Sequence, residues 1–200
     1  MLHNLRDHVV SSMIHSVNEL DVETCKFMSS CPPVNFTTKL GDITALRDLV
    51  NISLSSSFIV DVGSEVFDGM DRLELVVLQD NKLSRLNDVF GNARNLKGID
   101  VTGNEIRDVD EVAFRELHEL EFLRFGKNRL RELRAGTFDD LNELALLDLS
   151  SNLLRELPGN VFQSLVKLKV LDLSRNNITA LPKGKHKICT SLLMCLNLFQ

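Results

Sequence analysis

From Leu73 to Pro182 the apolar positions repeat one figure: leucine, two residues, leucine, one residue, leucine, two residues, asparagine, one residue, leucine, two residues, leucine. It appears in "LELVVLQDNKLSRL" (Leu73 to Leu86), "LKGIDVTGNEIRDV" (Leu96 to Val109) and "LEFLRFGKNRLREL" (Leu120 to Leu133). It returns in "LALLDLSSNLLRELPGNVF" (Leu144 to Phe162) and "LKVLDLSRNNITALP" (Leu168 to Pro182). The asparagines Asn81, Asn104, Asn128, Asn152 and Asn176 stand 23, 24, 24 and 24 residues apart, and Phe90, Phe114, Phe138 and Phe162 each follow one of them. A fixed period of this size predicts a stack of equivalent units. Within each unit, alternation at period two predicts a short strand with two leucines on its core side and the intervening residues on the other.

The figure extends upstream in weaker form. Leu49, Ile52 and Leu54 take the leucine positions, Ser57 the asparagine position and Phe67 the aromatic one. Before them, Val17, Leu20, Val22, Cys25 and Phe27 fit the same template, with extra length around "CPPVNFTT". Seven units are counted, five of them clear. Asparagine suits the end of each strand because its amide both donates and accepts, and so satisfies backbone groups that a buried turn would orphan. No unit buries its apolar face alone, so the array is stable only as a stack. A coiled coil is excluded, since the alternating triplets, the asparagines and Pro158-Gly159 break any heptad register. The predicted divisions are an N-terminal flank at 1–16, the array at 17–182 and a C-terminal tail at 183–200.

These residues resemble the leucine-rich repeat family, in its typical 24-residue form. The resemblance covers Val17 to Pro182 and is most specific from Leu49 onward. It implies an α/β fold: a leucine-rich repeat solenoid, or horseshoe, with a parallel β-sheet on the concave face. The 24-residue form is similar to repeats of extracellular proteins and receptor ectodomains, with the flavour of arthropod Toll-type, adhesion and secreted immune proteins. The implied function is non-catalytic recognition of a protein or pathogen-derived ligand in innate immunity, adhesion or receptor signalling. The alternative is an intracellular scaffold for a signalling enzyme. Extracellular members usually carry cysteine-rich caps, and here there are only Cys25, Cys31, Cys189 and Cys195. Cys25 is either disulfide-bonded to Cys31 or a buried thiol on the asparagine column. Uncapped end strands would expose core and sheet edges, which implies a fragment of a longer product, or pairing as a homo- or heterodimer.

Composition narrows the choice of partner. A net charge of −5 gives no basic footprint, so nucleic acid is not expected. Trp and Tyr are absent, so any interface relies on other anchors, with eleven Phe available. The first twenty residues carry no apolar run of signal-peptide length. The apolar stretch from Ile188 to Phe199 falls short of the about 20 residues of a membrane span. An extracellular or cell-surface location is nonetheless expected from the repeat type. Asn35, Asn51 and Asn177 head glycosylation sequons, which agree with that location.

No catalytic motif is present: there is no GxSxG, phosphate loop or GxGxxG, and the five histidines do not converge. No cofactor or metal is expected. Recognition is instead expected from the residues between the leucines, which the period sets in columns. One reads Glu19, Asn51, Leu75, Gly98, Phe122, Leu146 and Val170; the next reads Asp21, Ser53, Val77, Asp100, Arg124, Asp148 and Asp172. The candidate ligand-binding set is Phe122, Arg124, Leu146, Asp148, Asp100, Val170 and Asp172. Phe122 beside Arg124 is the least generic part of it and has hot-spot composition.

Overall fold

The computed structural model describes residues 19–21, 48–64 and 66–179. Seven short strands form one parallel sheet: β1 (Glu19–Asp21), β2 (Asn51–Ser53), β3 (Leu75–Val77), β5 (Gly98–Asp100), β7 (Phe122–Arg124), β8 (Leu146–Asp148) and β9 (Val170–Asp172). Two shorter strands, β4 (Arg85–Leu86) and β6 (Asp108–Val109), pair on the flank that follows the sheet. The sheet order follows the chain order, one main strand per unit, as a solenoid requires. The register is the one read from the period. Glu19, Asn51, Leu75, Gly98, Phe122, Leu146 and Val170 lie side by side, as do Asp21, Ser53, Val77, Asp100, Arg124, Asp148 and Asp172.

The alternation sorts the strand residues. Ile52, Val76, Ile99, Leu123, Leu147 and Leu171, at the strand centres, are buried in a core continuous from Leu49 to Leu173. Among the described residues the return segments are built of turns rather than helices. They are backed by a column of aromatic rings. Phe67, Phe90, Phe114, Phe138 and Phe162 stack at centroid separations of 5.7, 6.5, 6.1 and 6.3 Å. Phe125, which stands in a leucine position, meets Phe114 edge-on at 5.8 Å. Such pairs add attraction beyond the area they bury.

At the end of each strand the chain turns, and the asparagine column holds the turn. The Asn128 Oδ1 accepts from Ile106 N of the preceding unit at 3.0 Å. Its Nδ2 donates to Val101 O in that unit and to Phe125 O and Gly126 O in its own. Asn81, Asn104, Asn152 and Asn176 repeat the pattern, each tying its unit to the one before. Immediately before each ladder position the backbone is left-handed: Ser56, Asp80, Gly103, Lys127, Ser151 and Arg175 have φ between 53° and 74°. Only one of these is glycine, so the others hold a conformation that costs about 1 kcal/mol or more.

Replacing Asn128 by Ala should leave the buried Ile106 N–H unpaired and strip one of two donors from each of the Val101, Phe125 and Gly126 carbonyls. The expected loss is about 3 kcal/mol, read as a lower urea midpoint. Asn177→Ala, one residue beyond the ladder and exposed, should change stability by less than about 0.5 kcal/mol.

Candidate functional site

The outward columns of the sheet form a surface of short strands. On β2, β3 and β8 the two outward residues are half-buried, while β5 departs from this pattern, with Gly98, Ile99 and Asp100 all buried. Its neighbours explain the departure. A Cβ on Gly98 would lie 2.0 Å from Phe122 Cζ, so the Phe122 ring occupies the space above the glycine. Phe122 is therefore not a free-standing exposed aromatic. The far end of its ring rests over the adjacent strand, and the residue is half-buried.

Asp100 is covered from two sides. Its Oδ2 accepts from Gln79 Nε2 at 2.7 Å and faces Arg124 Nη1 at 3.4 Å, and its Oδ1 accepts from Thr102 N at 3.0 Å. At 2% exposed it lies beneath the surface and supports it. A nearly buried carboxylate is retained where it is paired and hydrogen-bonded, as here. The Arg124 guanidinium also stands 5.5 Å from the Phe122 ring centroid, within range of a cation–π attraction. Held between ring and carboxylate, Arg124 keeps about half its side chain in solvent at 47%. It is a fixed cation rather than a floating one.

Beyond this cluster the apolar column continues through half-buried Leu146 to Val170, which is 37% exposed. Asp148 and Asp172 each commit one oxygen to their own turns, accepting from Ser150 N and Ser174 N at 2.8 Å. Their other oxygens leave the acidic column partly available. Phe122, Arg124, Leu146, Asp148, Val170 and Asp172 thus share one surface, with Asp100 beneath it. Two residues that complete the cluster, Gly98 and Gln79, were not among the predicted site residues. The register alone puts Gly98 next to Phe122, and that adjacency was the available signal.

Of the glycosylation candidates, Asn51 lies half-buried in β2, on the same sheet surface, and Asn177 is exposed on the flank. Asn35, Cys25 and Cys31 lie outside the described residues. Among the described residues no group of three or more His, Cys, Asp or Glu side chains is placed to hold a metal ion. No helix among them is long and apolar enough to cross a membrane. The arrangement offers a preformed surface with an apolar stripe, one anchored cation and flanking carboxylates.

Residues 47–106, 94–154, 123–178 and 143–192 match the family profile described as leucine rich repeat. Over 90 residues, 44% of the chain, the sequence is 30% identical to epiphycan of Mus musculus and 31% identical to epiphycan of Homo sapiens. The match spans about a quarter of those proteins, 27% of each.

Gly98→Ala should force the Phe122 ring off the sheet and cost about 1 kcal/mol. In a Phe122→Ala background the same change should cost almost nothing. The resulting coupling, measured by urea unfolding of the four proteins in the cycle, is the signature of this contact.

Proposed function

The chain belongs to the leucine-rich repeat family, and from that premise we propose that it is a non-catalytic, extracellular recognition module that binds a protein partner through its concave sheet. The observation that carries this reading is the Phe122–Arg124–Asp100 cluster on the otherwise regular sheet. An aromatic ring, a cation held against it and a buried carboxylate beneath form an anchor whose rotamers are set before a partner arrives. Rigid anchors of this kind favour affinity because little side-chain freedom is lost on binding. The neighbouring Leu146 and Val170 supply apolar area, and Asp148 and Asp172 supply a polar rim, the usual anatomy of an interface. The extracellular part of the proposal is supported by the 24-residue repeat and by the exposed position of the Asn177 sequon.

The site is tested by placing a photocrosslinking residue at Leu146 and, separately, at Val166, which is 77% exposed and belongs to another part of the surface. Partner adducts are expected from position 146 and not from 166, and should disappear when Phe122→Ala and Arg124→Glu are combined with the crosslinker. Adducts from 166 alone would place recognition elsewhere. The compartment is tested by mass: protein from secreting cells should carry a glycan that Asn177→Gln removes, and an unmodified Asn177 would count against this location.

A further inference from the structure

The flank that leads away from the asparagine ladder carries a second ordered surface. Backbone hydrogen bonds join neighbouring units along it, including Arg107 N to Ser84 O, Arg129 N to Ile106 O, Leu153 N to Leu130 O and Thr179 N to Arg155 O. Equivalent residues of successive units therefore stand roughly one strand spacing apart, ~4.8 Å. Three residues beyond Asn104, Asn128 and Asn152, the same side chain appears each time: Arg107, Arg131 and Arg155. All three are exposed.

These arginines are unusual in the charge pattern of the molecule. Most other cations are paired across one repeat: Arg72 with Asp48, Lys82 and Arg129 with Glu105, Arg94 with Glu116, Lys97 with Glu74, Arg134 with Asp108 and Lys167 with Glu143. Among the described residues no carboxylate pairs with Arg107, Arg131 or Arg155. Toward the sheet stand two more exposed cations, Lys127 and Arg175, while Arg129 between them is paired with Glu105. A column of adjacent like charges is destabilising by itself. A bound polyanion would remove that repulsion.

We propose that this flank binds a linear sulfated polysaccharide, laid along the solenoid axis with its anionic groups against the arginine column. The direction follows from the ladder, because one cation per unit matches a ligand whose charge recurs along a slender chain. The width of the stripe selects the ligand class. On its far side runs an exposed acidic column, Asp108, Glu132 and Glu156, which would repel a broad polyelectrolyte such as duplex DNA. Single-stranded nucleic acid binds by stacking its bases on aromatic side chains. No aromatic is interleaved with these arginines: the two nearest equivalent positions hold Arg129 and Leu153. Since the net charge is −5, attraction to a polyanion would have to come from this stripe and not from the molecule as a whole.

The experiment measures binding of a heparin-derived octasaccharide to the full chain by anisotropy at two salt concentrations. Neutralising three anions, one per arginine of the column, should make affinity fall about 20-fold between 50 and 200 mM salt, by the counterion release of a single-chain polyanion. The triple variant Arg107→Ser, Arg131→Ser, Arg155→Ser should lose most of this affinity with an unchanged urea midpoint or a higher one. Because that variant touches three units, Glu132→Lys with Glu156→Lys provides the opposite arm and should tighten binding severalfold. Absence of binding by the wild type at low salt overturns the proposal, as does equal affinity of the triple variant or no gain in the lysine variant. A single-stranded DNA of matched charge that binds more tightly than the octasaccharide would replace the polysaccharide with nucleic acid.

Discussion

Every feature of this solenoid depends on how each strand leaves the sheet. The residue before each ladder position is left-handed, five times out of six without glycine to ease it. That conformation persists because the next side chain is an amide which closes the turn from both sides. Its carbonyl oxygen takes an N–H of the preceding unit, and its amide takes carbonyls of both units, so a local strain is held by bonds that also stack the repeats. Ser57 shows what is lost when the amide is absent. Its hydroxyl reproduces only the bond to the carbonyl two residues back, at 3.1 Å from Ser55 O. Asn81 of the next unit accepts Ile59 N, as each ladder asparagine accepts its counterpart, and accepts Ser57 N in addition.

This division of labour frees the remaining positions. Once the leucines, the asparagines and the phenylalanine column hold the stack, the residues between them need only fit their immediate neighbours. The sheet surface therefore varies strand by strand without cost to the frame. The Phe122 ring can lie across β5 because Gly98 offers no Cβ, and Arg124 can be fixed there because Asp100 is already anchored by Gln79 and by the Thr102 N–H. In β8 and β9 the aspartate at the Asp100 position makes the same bond to its own turn but remains partly in solvent. One sequence position thus plays two roles, decided by what stands on the adjacent strands.

That dependence on neighbours explains what was legible in the sequence. The parallel register, the core set, the aromatic stack and the asparagine ladder all follow from a period, and a period is visible along one dimension. The columns of the sheet surface were readable to the residue, since a stack of equal units leaves no freedom to slip. What the side chains do within a column was less accessible. Phe122 is half-buried, and Asp100 lies beneath the surface that the rest of its column forms. Both outcomes turn on contacts between strands 24 residues apart, where a missing methyl on one strand becomes a resting place for a ring on the next. The arginine column follows from the same period, which aligns the flank as it aligns the strands.

The two surfaces also differ in how charge is handled, which bears on how each would recognise a partner. On the sheet, the one basic side chain among the aligned columns is compensated by Asp100 and by the Phe122 ring, so its field is local and its position is fixed. Such a group discriminates at short range, where a partner must match its geometry. On the flank, the three aligned arginines stand without carboxylate partners, so their fields add along the column. Summed fields of this kind act over the about 8 Å of the screening length at physiological salt and favour ligands by charge density more than by shape. The same repeat therefore builds a surface suited to selective docking beside one suited to electrostatic capture. The difference arises from a single choice at equivalent positions: whether the neighbouring unit supplies a counter-charge.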